Sequence, residues 1–62
     1  MIELTRRQRE VSGLIALGLT NAEIAAELKL SVRTVETHRE EIFDRMGVRN
    51  AVELTRKMLG VE

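Results

Sequence analysis

Residues 20–46 read TNAEIAAELKLSVRTVETHREEIFDRM, and this stretch decides the fold. Thr20 followed three residues later by Glu23 is a capping pair: the hydroxyl accepts from first-turn N–H groups while the carboxylate reaches back to the chain at Thr20. Ile24, Ala25 and Leu28 then recur at helical spacing. Ser31 offers a second N-cap, although Thr34 at its third helical position cannot complete a box. Beyond it Val35, Ile42 and Met46 form one stripe, with His38 between them. The spacing predicts helices over Asn21–Leu28 and Val32–Met46. Only Lys29, Leu30 and Ser31 separate them, which is the short connection of a helix-turn-helix. Ala25 falls where the two helices approach, and Ile24, Leu28, Leu30 and Val35 supply an apolar wedge behind the turn.

The flanks repeat the same grammar. Thr5 precedes Gln8 and Asn50 precedes Glu53 at capping spacing, while Gly18, Gly47 and Gly60 stand where helices end in the left-handed conformation. Helices are therefore expected over Arg6–Leu17 and Ala51–Leu59. The first turns Val11, Leu14 and Ile15 inward, and the last turns Leu54 and Met58 inward. Proline is absent, Phe43 is the one aromatic residue, and no strand pattern occurs. The expected fold is all-α, a compact four-helix helix-turn-helix domain occupying residues 1–62, with the motif at 21–46 and the fourth helix at 51–59.

With 62 residues the chain suffices for one domain, too small for a deep catalytic cleft. It has no cysteine, so disulfides and thiolate metal sites are excluded. His38 is the single histidine, and no nucleophile, oxyanion arrangement or carboxylate pair accompanies it. No catalytic residue, metal or cofactor is expected, and His38 reads as a half-buried hydrogen-bonding residue behind its helix. No basic start leads into an apolar run, and no run approaches the ~20 residues that span a bilayer. The expectation is a cytoplasmic protein without membrane contact.

On a helical wheel Arg33, Glu36, Thr37, Glu40 and Asp44 share the face opposite Val35, Ile42 and Met46. A second helix held proud by a helix-turn-helix suits the major groove of double-stranded DNA, its N-terminal part deepest. Base reading is therefore expected from Arg33, Glu36, Thr37 and Glu40: the carboxylates accept from cytosine N4, Arg33 meets guanine or phosphate, and Thr37 meets a thymine methyl or accepts a bond. Phosphate contacts are expected from Thr20, Asn21, Thr34, Arg39 and Arg49, with helix N-termini adding N–H donors. The charge balance opposes this, for ten Lys and Arg face ten Asp and Glu, and the acids Glu36, Glu40, Glu41 and Asp44 gather on this helix.

The chain resembles the LuxR/FixJ/NarL, or GerE-like, effector domains of bacterial transcription regulators from Leu4 to about Leu59. The resemblance rests on LTRRQREV at 4–11, GLTNAEIA at 18–25 with Leu28, and above all SVRTVETH at 31–38 followed by MGVRN at 46–50. It implies DNA binding, base contacts at Glu36, Thr37 and Glu40, and either the output domain of a longer regulator with an N-terminal receiver or ligand-sensing domain, which is the favoured expectation, or a single-domain member beginning at Met1. It also implies a homodimer on DNA through the last helix, for which Val52, Arg56 and Leu59 are the expected contact, and it admits RNA polymerase as a partner. The chain departs from the family at Gln8, where Glu is usual, at Ser12, where a large apolar residue is usual, and at Ala51, where Arg is frequent. It departs also at Glu36 and Glu40, where Lys is frequent. Two other readings share parts of the pattern. Region 4 of sigma factors has similar Thr-x-x-Glu-Ile-Ala and Ser-x-x-Thr-Val segments but is not expected to continue into Gly-Val-Arg-Asn and a fourth helix. A helical protein-interaction module without DNA contact suits the zero net charge.

Overall fold

Every helix starts at a side chain that accepts from its own first turn. The computed structural model describes residues 4–60, in which α1 spans Arg6–Ala16, α2 Asn21–Leu28, α3 Val32–Met46 and α4 Ala51–Leu59. At Thr5 and Thr20 the full box forms: Thr5 N–H donates to Gln8 Oε1 (2.9 Å) and Gln8 N–H to Thr5 Oγ1 (3.1 Å), and Thr20 with Glu23 repeats the exchange. The third box is shifted. Glu53 N–H donates to Asn50 Oδ1, but the Glu53 carboxylate accepts from Arg49 N–H at 2.8 Å rather than from Asn50. Asn50 has φ −155°, against −66° and −77° at the two threonines, which turns its own N–H out of reach.

The helix ends share a second rule. Leu19 N–H donates to Leu14 O, Leu30 N–H to Ala25 O, and Val48 N–H to Phe43 O, at 3.2, 2.8 and 3.0 Å. These six-to-one closures need a left-handed residue before the donor, and they fold the residue after it back onto the helix. Gly18 and Gly47 supply that conformation in two cases; in the third it is Lys29, at φ 58°. Leu19, Leu30 and Val48 thereby return to the core as partly buried side chains. Each turn is thus a packing device as well as a stop.

Helix α1 packs against α2, α3 and α4, and α2 packs against α3. Val11, Ile15, Ile24, Ala25, Val35, Ile42 and Leu54 form the buried core. Two polar residues join it. Gln8 is 4% exposed, and its Nε2 donates toward Glu41 Oε1 of α3 at 3.4 Å while its oxygen serves the Thr5 cap. Ser12 is fully buried, and its Oγ has no partner among the described residues. Helix α4 holds on through Leu54, and Lys57 Nζ donates to Met46 O at 2.7 Å, satisfying a carbonyl at the end of α3. Two expectations need correction. Leu17 is the cap of α1 and stands exposed, because Gly18 has already left helical geometry. Met58 lies outside the core at 42% exposure, because nine residues of α4 packed on α1 bury a single turn's worth of side chain at Leu54.

Candidate nucleic-acid interface

The turn between α2 and α3 fixes how far α3 stands out. Its first residue, Lys29, reverses the chain, Leu30 packs inward, and Ser31 Oγ accepts from Thr34 N–H at 3.1 Å. Only Val35 and Ile42 of α3 are fully buried, with Phe43 and Met46 partly so. Fifteen residues at about 1.5 Å each make a rod of about 22 Å, held along one side. Arg33, Glu36, Thr37, Glu40 and Asp44 are all exposed along the other, as the wheel requires.

The outward side chains differ in what they have left to offer. Thr37 Oγ1 donates to Arg33 O at 3.2 Å, so its proton is engaged within the helix and its methyl and lone pairs face out. Glu36 and Glu40 are exposed carboxylates, acceptors only. Donors on this face therefore come from arginine. Arg33 is exposed near the N-terminus of α3. Arg39 is half-buried, its guanidinium carbon 5.1 Å from the centroid of the Phe43 ring. Glu36 precedes Arg39 by three residues and Glu40 follows it, yet among the described residues no ion pair joins Arg39 to either. The magnitudes favour the ring: a cation over an aromatic face gives about 0.5–1 kcal/mol, and an exposed helical ion pair about 0.2–0.5 kcal/mol.

Asn21, Glu36, Arg39, Glu40 and Phe43 line an open groove between the start of α2 and the middle of α3. The expected phosphate contacts do not all gather there. Asn21 and Arg39 share the groove. Thr20 is exposed at the head of α2, its oxygen occupied by Glu23 N–H. The Thr34 hydroxyl already pairs with Ser31 Oγ at 2.8 Å. Arg49 stands exposed in the loop before α4. His38 is half-buried as expected, but its Nδ1 is buried without a hydrogen-bond partner among the described residues. On α4, Val52 and Leu59 are 63% and 72% exposed, and Arg56 is exposed between them.

Sequence reasoning missed Phe43 as a partner of Arg39 and Lys57 as a cap of α3. The first was accessible, since the two are four apart on one helix. The second spans eleven residues and a loop and leaves no periodic trace.

The family model for bacterial regulatory proteins of the luxR family matches residues 3–58. The chain belongs to that family. It is 49% identical over 55 residues to the transcriptional regulatory protein UhpA of Escherichia coli K12, covering 89% of this chain and 28% of UhpA. It is 40% identical over 55 residues to the tetrathionate response regulatory protein TtrR of Salmonella typhimurium, covering 89% of the chain and 27% of TtrR. To the oxygen regulatory protein NreC of Staphylococcus aureus it is 43% identical over 51 residues, 82% of the chain and 24% of NreC. The chain thus spans roughly a quarter of the length of these relatives. As a luxR-family domain it is a helix-turn-helix DNA-binding domain of transcription regulation, homologous to response-regulator output domains and not an enzyme. Helices α2 and α3 are the pair joined by the short turn at Lys29 to Ser31, and the groove beside Arg39 lies between them. No helix among the described residues is long and apolar enough to cross a membrane.

Proposed function

We propose that this chain reads double-stranded DNA in the cytoplasm as the output domain of a bacterial transcription regulator, with α3 in the major groove. Arg33, Glu36, Thr37 and Glu40 read bases; Thr20, Asn21, Thr34, Arg39 and Arg49 contact phosphates. The observation that carries this reading is the division of α3: Val35 and Ile42 are buried while the four base-reading side chains are exposed along one face. Their chemistry selects amino groups. Glu36 and Glu40 accept from cytosine N4, and Thr37, its proton engaged by Arg33 O, offers a methyl to thymine. Two protomers bind two half-sites through a small isologous contact of Val52, Arg56 and Leu59 on α4. RNA polymerase is the further partner at the promoter.

A fluorescence-anisotropy titration against a randomised duplex pool at several salt concentrations, with sequencing of the bound fraction, tests the reading. Binding that weakens with salt and selects a repeated half-site is the expected result. Absence of binding at low salt overturns it in favour of a protein-interaction module. Analytical ultracentrifugation of the complex should give two protomers per duplex, and a single protomer would remove the α4 contact from the account.

A further inference from the structure

Arg39 is a cation in an acidic neighbourhood. Glu36 lies one turn behind it on the same helix and Glu40 beside it, and all three line the groove whose opposite wall begins with Asn21 of α2. A guanidinium captured by either carboxylate would be neutralised and turned along the helix. What holds it instead is the face of Phe43, four residues on, at 5.1 Å. Phe43 is half-buried and packs against the core, so its position is set from below and the guanidinium settles on a fixed plate.

We infer that Phe43 is a positioning residue for DNA binding: its ring keeps Arg39 clear of Glu36 and Glu40 and delivers the guanidinium to a backbone phosphate at the mouth of the groove beside Asn21. The inference rests on the DNA-reading role proposed above and adds to it the residue that makes one phosphate contact usable on an acidic helix. The occupant is a phosphodiester oxygen. It needs planar donors, which a guanidinium presents even while stacked, since stacking uses its face and hydrogen bonding uses its edge. Asn21 can add an amide donor from the facing helix.

The test is the salt dependence of binding to a mixed-sequence duplex, measured by anisotropy on the whole chain. One lost phosphate contact flattens the slope of log K against log salt by about one. Arg39→Gln should show that flattening. Phe43→Leu should show it too, because the released guanidinium falls onto Glu36, and combining the two substitutions should flatten the slope no further. Phe43→Tyr, which keeps a ring, should retain the slope of the unaltered chain. Phe43→Leu combined with Glu36→Gln and Glu40→Gln should match Glu36→Gln with Glu40→Gln alone, since both competing acids are gone. The folded fraction of Phe43→Leu is measured by circular dichroism at each salt concentration and divided out, so the slope separates positioning from stability. A Phe43→Leu slope equal to that of the unaltered chain overturns this inference while leaving the DNA-reading role standing. An unaltered chain that binds no duplex overturns both.

Discussion

The Gln8 amide faces the Glu41 carboxylate across the contact of α1 with α3, its nitrogen 3.4 Å from the acid and its oxygen on Thr5 N–H. Both ends of one buried side chain are used, and the amide orientation follows, because only its oxygen can accept from the cap. This accounts for the departure from the glutamate usual in the family: an acid at position 8 would meet Glu41 with like charge. Gln8→Glu should therefore destabilise the domain by about 1–3 kcal/mol at neutral pH through a buried acceptor facing another. Protonating the introduced carboxyl restores a donor, so the penalty should shrink in acid. Urea unfolding at neutral and acid pH would reveal a gap that does not narrow if the pairing is unimportant.

Ser12, one turn along α1 from Gln8, is buried with a hydroxyl that makes no hydrogen bond among the described residues. Ser12→Ala should stabilise the fold by about 1 kcal/mol, since it removes a buried polar group and suits a helix better. A lower melting temperature for the variant would mean that the hydroxyl has a partner in solution.

The reversal at Lys29 uses a left-handed conformation that costs an L-residue about 1–2 kcal/mol. Lys29→Gly removes that strain and, after the added freedom of the unfolded chain, should gain about 0.5–1 kcal/mol. Thermal melts should rise while DNA affinity holds, because Lys29 is a hinge of the turn and contributes none of the proposed contacts.

Lys57→Met keeps the aliphatic stem but leaves the Met46 carbonyl without its ammonium donor. A loss of about 0.5–1.5 kcal/mol is expected, and amide exchange should accelerate at the end of α3. Uniform exchange across α3 and α4 would show that the contact does not join them.

At Thr37 the methyl and the hydroxyl make opposite predictions. Thr37→Val retains a methyl and should keep the preferred base at its position in a binding selection. Thr37→Ser keeps only the hydroxyl and should relax a preference for thymine there. The reverse pattern would assign the readout to hydroxyl bonding.

The helices were legible because their signals are local. Caps at Thr5, Thr20, Ser31 and Asn50 lie beside the turns they close, and the stripe of Val35 and Ile42 fixes the outward face of α3 by periodicity alone. What escaped depends on distance along the chain or on packing. Gln8 and Glu41 are 33 residues apart, and nothing near either announces the other. Lys29 in a left-handed turn escaped because lysine carries no preference for it; the closure of Leu30 onto Ala25 imposes the conformation. Met58 matched the helical period of Leu54, yet α4 meets only α1 closely enough to cover one of them. Of the candidate interface, the exposure of Arg33, Glu36, Thr37 and Glu40 on one face was readable, whereas the engaged hydroxyls of Thr34 and Thr37 required coordinates.

Because α3 is gripped through Val35 and Ile42 while Glu36, Thr37 and Glu40 stand exposed, the residues proposed to read bases and the residues that hold the fold occupy separate columns of the same helix. Substitutions in the exposed column should shift stability by no more than about 0.5 kcal/mol each. On the proposed reading the domain is a type-holder: letters can be exchanged one at a time, each intermediate should still fold, and a lineage could move from one operator to another without passing through a broken protein.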